Sequence, residues 1–428
     1  MKHVDFFYDF ACPYAYLAHL RVDAACARGG ATVAWRPFLL GGVFRATGIS
    51  PDGPGAKMHA SRARLNLLDM RRWAAFHEMP FRMPDTHPNR TVLALRAAMA
   101  SSDPVRASKA LFAAYWAKGL DVSKPEVVRA ALDEIGEDGA AVLAKAETPA
   151  IKEALRRATD EAVAAGVFGA PAFVVTIKDE PGREDAVELF WGQDRLALVE
   201  EMLAGRPGSL AAPNVVDPLV SKPITTPRPL EFWFDFSSPF AYLGAARVEA
   251  SAARAGARLA YRPFLLGGVF HAIGTPNVPL FEMPEAKRRH ATADMFRWAA
   301  RFGTPLRFPS RFPMNTVKPL RMVLALPEEQ RAPLVNAIFR AYWADDRDVS
   351  DSATLADLAT SVGLPGAELA ARTSEDALKS ALRDATDEAV RRGIFGAPSF
   401  FVDDLLFWGQ DRLDLVERAL TGWRPPGE

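Results

Sequence analysis

Two segments of the chain, 4–10 and 230–236, are apolar on both faces and rich in aromatic side chains. That pattern predicts a strand buried at the centre of a sheet. A short break follows each segment, and Pro13 or Pro239 then opens a run with helical spacing, since proline suits the first turn of a helix. The pattern therefore predicts the same strand–helix unit at two places far apart in the chain.

Both predicted units continue in the same way. A second strand is predicted at 32–35 and at 258–261, and a long stretch of helical spacing follows each of them. In the later stretch, Met295, Trp298 and Phe302 mark an apolar helix face. Each half closes with strand, turn, strand and helix, so the order is βαβ, a helical block, then ββα. The predicted class is α/β, with two thioredoxin-fold domains that each carry a large helical insertion between βαβ and ββα.

Four sequence segments occur twice, in the same order: RPFLLGGVF, ATDEAV, FGAP and WGQDRL. Matches of this length in one order indicate a tandem duplication, and their spacing is far too long for a solenoid repeat. The paired segments begin at Arg36 and Arg262, Ala158 and Ala385, Phe168 and Phe395, and Trp191 and Trp408.

A proline-rich stretch separates the two copies. Residues 206–229 contain six prolines and few large apolar residues, which favours an extended spacer. We therefore predict domains at 1–205 and 230–428, joined by a linker at 206–229. The spacing between the copies shortens after FGAP, so the first copy is predicted to have a longer hairpin loop around 178–188.

Composition and charge indicate an ordinary globular protein. Hydrophobic residues make up 49% and charged residues 24% of the chain, which excludes a disordered polymer. Lys+Arg and Asp+Glu both number 52, so the formal net charge is zero. A zero net charge argues against general binding to nucleic acid or to an acidic membrane surface.

Cysteine usage and the absence of targeting patterns predict a cytoplasmic location. Cys12 and Cys26, 14 positions apart, would lie ~21 Å apart on one helix, whereas a disulfide needs Cα atoms within ~7 Å. We therefore expect no disulfide and a reducing compartment. The N-terminus is a poor signal peptide because Asp5 and Asp9 interrupt it, and the uncharged stretch 162–177 is too short to span a membrane.

The turn after the first predicted strand is the first candidate site, with Cys12-Pro13 in one copy and Ser238-Pro239 in the other. Ser238 could simply cap its helix, since serine is a preferred N-cap residue. The alternative is that both side chains lie at the positive end of a helix dipole, where a thiolate is favoured. The matching cysteine favours this second interpretation and predicts a lowered pKa for Cys12.

Two other turns recur in both copies. Ala170-Pro171 and Ala397-Pro398 are either plain turns into a strand or cis-proline turns that leave the preceding backbone free for an extended peptide ligand. Gln193-Asp194 and Gln410-Asp411 begin the last helix of each copy. Their aspartates either complement the helix dipole or receive an α-amino group.

Motifs of other chemistries are missing from the sequence. There is no GxGxxG, P-loop or HExxH motif, and the seven histidines have no metal-ligand spacing, so no metal site is predicted.

Each copy resembles the 2-hydroxychromene-2-carboxylate isomerases, relatives of kappa-class glutathione transferases within the DsbA-like thioredoxin superfamily. The resemblance covers nearly all of both copies, and no single motif would be specific on its own. It rests on FDFSSPFAYL at 234–243, RPFLLGGVF, KRRHATADMFRWA at 287–299, FPMNTVKPLR at 312–321, GIFGAPSF at 393–400 and FWGQDRL at 407–413.

The resemblance implies glutathione as the cofactor and assigns roles to matching residues. Ser238 would hydrogen-bond the glutathione sulfur, and Ala397, before Pro398, would pair with the cysteinyl backbone. Gln410 and Asp411 would bind the γ-glutamyl end. Lys287 would bind a carboxylate. In the first copy, Ala170, Pro171, Gln193 and Asp194 match Ala397, Pro398, Gln410 and Asp411.

The first copy departs from this pattern. Cys12 replaces the serine, Arg62 aligns with Lys287, and Arg90 aligns with Asn315. Ala15 occupies the position where a CxxC motif has its second cysteine, so the first copy cannot be a dithiol oxidase by itself.

The predicted function is glutathione-dependent cis–trans isomerisation of 2-hydroxychromene-2-carboxylate or a similar intermediate of aromatic-compound degradation. The expected partners are a small aromatic substrate and glutathione, without nucleic acid or membrane, and the two copies could form an intramolecular pseudo-dimer. A kappa-like transferase, a monothiol disulfide oxidoreductase acting through Cys12, and a protein that only binds glutathione remain alternatives.

Overall fold

A computed structural model describes residues 1–49, 58–178, 185–205, 228–425 and 427. The predicted linker lies outside the described residues except at its last two positions, and so does the centre of the predicted hairpin loop, 179–184.

The first repeat forms four strands and ten α-helices within the described residues. The strands are β1 (Lys2–Tyr8), β2 (Thr32–Pro37), β3 (Ala172–Ile177) and β4 (Ala186–Trp191). The helices are α1 (Pro13–His19), α2 (Val22–Arg28), α3 (Leu40–Ala46), α4 (Ala60–Phe76), α5 (Val92–Ala100), α6 (Pro104–Phe112), α7 (Pro125–Asp133), α8 (Gly139–Ala146), α9 (Pro149–Ala164) and α10 (Leu196–Leu203).

The second repeat has the same order, except that one long helix replaces α1 and α2. Its strands are β5 (Pro229–Phe234), β6 (Arg258–Pro263), β7 (Ser399–Val402) and β8 (Leu405–Trp408). Its helices are α11 (Pro239–Arg254), α12 (Leu266–Ala272), α13 (Glu285–Phe302), α14 (Val317–Leu324), α15 (Arg331–Trp343), α16 (Ser352–Ser361), α17 (Gly366–Arg372), α18 (Asp376–Arg391) and α19 (Leu413–Leu420).

Each repeat builds one four-stranded mixed sheet. The strand order is β2-β1-β3-β4 in the first and β6-β5-β7-β8 in the second. The first strand of each repeat pairs in parallel with the second and antiparallel with the third. This arrangement confirms the predicted thioredoxin-fold order and the large helical insertion.

Aromatic side chains fill the core of each sheet, as the apolar first strands predicted. Phe6 stacks on Phe173 of the neighbouring strand with ring centroids 5.5 Å apart, and Phe232 stacks on Phe400 at the same distance. All four side chains are fully buried. Aromatic pairs in such cross-strand contacts stabilise a sheet beyond their burial alone, which explains the density of phenylalanine in these segments.

The described chain divides into two compact units that do not coincide with the repeats. The first unit is Met1–Met58, Leu68–Pro207 and Met283–Asp294, and the second is His59–Leu67, Gly208–Glu282 and Met295–Glu428. The first half of α13 therefore belongs to the unit built around the first sheet. The first half of α4 belongs to the unit built around the second sheet. Local sequence patterns did not predict this assignment.

Neither a membrane-spanning helix nor a metal-ion cluster is found among the described residues. No described helix combines the length and the apolar character that crossing a membrane requires. In the same part of the chain, no three or more His, Cys, Asp and Glu side chains are grouped so that they could hold a metal ion.

A buried carboxylate follows the first strand of each sheet. In the second unit, Asp235 is 1% exposed and accepts hydrogen bonds from the backbone N–H groups of Ser237 (2.9 Å) and Leu266 (2.7 Å) and from the hydroxyl of Thr316 (2.7 Å). Asp9 accepts the matching three bonds in the first unit. Burial raises the pKa of both carboxyl groups above its ordinary value, and the hydrogen bonds offset only part of that rise.

Replacing Asp235 by alanine should lower the free energy of unfolding by about 3 kcal/mol, because three buried donors lose their acceptor. Urea denaturation measures this loss. Asp9→Ala should have a similar effect in the first unit, whereas Thr316→Val should cost only about 1 kcal/mol. A loss below about 1 kcal/mol for Asp235→Ala would show that the carboxylate does not hold these segments together.

Candidate active site

Ser238 lies at the N-terminal end of α11, directly before Pro239. Its Oγ accepts a hydrogen bond from the backbone N–H of Ala241 (3.2 Å), so the serine caps the helix. The same hydroxyl donates to the carbonyl oxygen of Ala397 (2.8 Å). The structure therefore brings together two of the predicted site residues, Ser238 and Ala397, and the capping and site interpretations of Ser238 are compatible.

Cys12 occupies the matching position at the start of α1 but makes no capping hydrogen bond. Its Sγ lies 3.0 Å from the carbonyl oxygen of Ala170. Burial raises the pKa of the Cys12 thiol to about 12, against the smaller opposing effect of the backbone N–H groups of Ala15 and Tyr14. The predicted lowering of this pKa is therefore wrong, because desolvation outweighs the helix N-terminus.

The peptide bonds Ala170-Pro171 and Ala397-Pro398 are both cis. This finding agrees with the cis-proline interpretation of these turns. The carbonyl oxygen of each alanine accepts from the side chain at the start of the helix. Within the described part of the chain, the N–H groups of Ala170 and Ala397 have no hydrogen-bond partner. Each turn therefore presents one backbone donor to a ligand beside the Cys12 or Ser238 side chain.

The glutamine–aspartate pairs follow a glycine with positive φ, Gly192 (113°) or Gly409 (105°). A Cβ atom on Gly409 would lie only 2.5 Å from Oδ1 of Asp411, so this turn requires glycine. Asp411 forms an ion pair with the adjacent Arg412 (3.0 Å). Its negative charge is therefore already partly compensated within the turn.

The matching turn of the first repeat belongs to a larger buried network. Arg195 pairs with Asp194 (2.9 Å) and makes a bidentate contact with Asp294 of α13. Gln193 accepts from Arg21 through Oε1 (2.6 Å), while its Nε2 is buried without a partner among the described residues.

Lys287 packs with the first unit. Its Nζ lies 5.5 Å from the ring centroid of Trp191, close enough for a cation–π contact. The backbone N–H of Trp191 donates to Nε2 of His290, one turn further along α13 (3.0 Å). In the second unit, the Arg62 guanidinium lies 5.5 Å from the ring centroid of Trp408. The predicted role of Lys287 beside Ser238 stays a prediction.

Sequence reasoning missed the residues that hold these turns in place. The buried Asp9 and Asp235 accept the bonds described above, and the indole N–H groups of Trp116 and Trp343 donate to the carbonyl oxygens of residues 10 and 236 (2.8 Å each). An aspartate that recurs at the same place in the aromatic segments 4–10 and 230–236 was a readable signal. The pairing of Asp294 with Arg195 had no local signal, because it joins distant segments.

Cys12 should react slowly with iodoacetamide in the native protein. With a pKa of about 12, only about 1 in 10⁴ molecules carries the thiolate at pH 8, and the rate should rise roughly tenfold per pH unit. Mass spectrometry of the native protein, with Cys12→Ser as the control, measures the rate at this site. Alkylation at the rate of a free thiol at pH 7 would contradict the burial argument and restore the thiolate hypothesis.

Comparisons with known proteins identify the domain family of both repeats. The DSBA-like thioredoxin domain family matches residues 3–204 and again 229–421. A 2-hydroxychromene-2-carboxylate isomerase of Sphingobium xenophagum is 34% identical over 193 residues, which are 45% of this chain and 98% of the relative. Glutathione S-transferase kappa 1 of Rattus norvegicus is 27% identical over 216 residues, 47% of this chain and 94% of the relative.

A solved structure of 2-hydroxychromene-2-carboxylate isomerase is 29% identical and aligns with a TM-score of 0.42, covering 45% of this chain and 95% of that chain. About half of the present chain thus matches nearly the whole length of each of these proteins. The chain belongs to the DSBA-like thioredoxin domain family and contains the family's domain twice.

Proposed function

We propose that the protein is a glutathione-dependent isomerase of 2-hydroxychromene-2-carboxylate or a similar intermediate of aromatic-compound degradation. The observation that carries the proposal is the Ser238 hydroxyl at the start of α11, beside the unpartnered backbone N–H of Ala397. A donor hydroxyl, a helix N-terminus and a free backbone donor together suit a thiol-containing peptide. The similarity to the isomerases supports the reaction class.

The residues present fit glutathione. The free N–H of Ala397 suits the cysteinyl carbonyl, and the Ser238 hydroxyl suits the sulfur. Asp411 suits the γ-glutamyl ammonium, with Gln410 beside it, and the cations Lys287 and Arg62 are candidates for a glutathione carboxylate. When bound, glutathione supplies a sulfur nucleophile that can add reversibly to a conjugated carbon.

The work of the protein in this reaction is electrostatic positioning. The N-terminal backbone groups of α11 would stabilise negative charge on sulfur as fixed dipoles, and the Ser238 hydroxyl would do so once its proton turns from the carbonyl oxygen of Ala397 to the ligand. An isomerisation leaves the composition of its substrate unchanged, so it needs no oxidant or reductant.

A kappa-like transferase is the second candidate, since the similarity to glutathione S-transferase kappa 1 covers almost the whole of that relative. A turnover assay separates the two activities, because a transferase consumes glutathione and an isomerase returns it. The monothiol oxidoreductase alternative is disfavoured by the buried Cys12 thiol, whose pKa is raised to about 12.

Ser238→Ala should reduce isomerase turnover more than Cys12→Ala does. Removal of one preorganised donor to a developing anion costs at most about 10²–10³ in rate, which sets the upper expectation for Ser238→Ala. Steady-state kinetics with saturating glutathione measure kcat, and thermal unfolding shows whether each variant is folded. Full activity of a folded Ser238→Ala variant would remove Ser238 from the catalytic site.

Asp411→Ala should raise the KM for glutathione by about tenfold or more and leave kcat at saturating glutathione nearly unchanged, because an unpaired ammonium group costs roughly 1–3 kcal/mol. Since Arg412 also loses its partner, Asp411→Asn serves as the isosteric control. Asp194→Ala tests the matching aspartate of the first unit in the same measurement of kcat and of the KM for glutathione. A fall in kcat with an unchanged KM would place Asp411 in the chemical step.

A further inference from the structure

A cavity of about 360 Å³ lies in the second unit, and ligand sites have volumes of roughly 300–1,000 Å³. Its walls come from the middle of α11, from the end of α13 with the loop that follows, and from α15. Tyr242, Ala245 and Phe339 are buried in its floor, whereas Glu249 and Asn336 at its rim are exposed. Its lining residues, all in the described part of the chain, include none from the candidate active site, so this is a separate place in the unit.

The first repeat fills the matching place with an imidazole. His19 aligns with Ala245, is 2% exposed and stacks on Tyr16 with ring centroids 5.1 Å apart. Its ring centroid also lies 4.8 Å from that of Phe112. Both aromatic partners of this imidazole recur in the second repeat, where an alanine methyl group stands in its place.

The second repeat has not closed over the missing ring. The ring centroids of Tyr242 and Phe339 are 6.0 Å apart, and those of Tyr16 and Phe112, with which they align, are 6.3 Å apart. The tyrosine hydroxyl donates to a proline carbonyl oxygen in both repeats. Because the aromatic side chains keep their spacing, the space of the imidazole stays open, as it does when a large side chain is truncated in a packed core.

A carboxylate at the rim of the cavity has also lost its cation. In the first repeat, Asp23 pairs with the ammonium group of Lys109 (2.6 Å), and both charges are close enough to act electrostatically on the His19 ring. Glu249 and Asn336 align with Asp23 and Lys109. The second repeat therefore retains the carboxylate and has a neutral amide where the first has a cation.

The hydrogen bonds of Glu249 leave acceptors for a ligand. Its Oε1 accepts from the Tyr261 hydroxyl (2.6 Å) and from Nδ2 of Asn336 (2.8 Å). Within the described residues, Oε2 of Glu249 and Oδ1 of Asn336 have no hydrogen-bond or ion-pair partner. Two neighbouring acceptors, one of them charged, suit a cationic group that only donates, such as an ammonium group.

Cations near the cavity pair with other carboxylates. The Arg247 guanidinium lies 4.7 Å from the ring centroid of the lining residue Phe302 and 3.7 Å from Asp414. Arg340 on α15 lies 3.6 Å from Asp345. Among the described residues, neither arginine forms an ion pair with the carboxylate of the cavity, which is therefore available to a ligand cation.

We propose that this cavity binds a small primary amine that carries an uncharged aromatic ring. The ring packs on Tyr242 and Phe339 above Ala245, and the ammonium group donates to Oε2 of Glu249 and Oδ1 of Asn336. An uncharged ring matches the imidazole of the first repeat, since burial lowers the pKa of that histidine to about 4. The inference goes beyond the proposed function and does not depend on it.

Phenethylamine, a phenyl ring joined to an ammonium group by two carbons, is the probe for this cavity. Isothermal titration of the full chain should show binding in the millimolar range or tighter, and saturating glutathione should leave the affinity unchanged. Ala245→His, which places the side chain of the first repeat in the cavity, should weaken binding about tenfold or more. Glu249→Gln should weaken it about fivefold, as expected for an exposed ion pair, and leave the binding of uncharged phenethyl alcohol unchanged.

The first unit offers the matched reverse variant. His19→Ala with Lys109→Asn should create a second phenethylamine site, and thermal unfolding shows whether each variant is folded. Three results would overturn the proposal: no phenethylamine binding at millimolar concentration, equal affinities for the wild-type chain and a folded Ala245→His variant, or displacement of the amine by glutathione. Isomerase turnover is measured separately, so a failure of the proposed function would leave these binding differences intact.

Discussion

A carboxylate almost without access to water holds each candidate site together. Asp9 and Asp235 join three separate segments: the turn after the first strand, the start of the helix after the second strand, and the loop before α5 or α14. The backbone carbonyl of the same aspartate also accepts from the N–H of Cys12 or Ser238. Because a buried carboxylate without donors would be very costly, these segments and the site they carry are fixed as one unit.

The two repeats share the buried aspartate and the segments that it joins, but they differ in side chains at the candidate site. Both units have the same strand order, cis turns, indole-to-carbonyl bonds and glycine-dependent aspartate turns. The side chains at the start of the first helix differ, with Cys12 in one unit and Ser238 in the other. Because the shared hydrogen bonds do not require one particular side chain at these positions, the two sites can diverge within one protein.

The sequence predicted the features that depend on neighbours along the chain. The strand order, the helix that begins at Pro239 and the cis turn at Pro398 each have a local signal, and the structure confirms them. The pKa of Cys12 could not be predicted from its helix position, because the depth of burial is set by distant segments. The pairing of Asp294 with Arg195 was unpredictable for the same reason.

The assignment of residues 283–294 to the first unit has a consequence for how the chain can evolve. The first half of α13 lies in the second repeat by sequence, yet its Asp294 and His290 contact Arg195 and Trp191 of the first repeat. A substitution at Asp294 or His290 therefore removes a partner from a residue of the other repeat, 99 positions earlier. Two such domains encoded by separate genes can diverge independently. Here both repeats lie in one chain and are synthesised in a fixed one-to-one ratio, so the residues that contact each other are always inherited together.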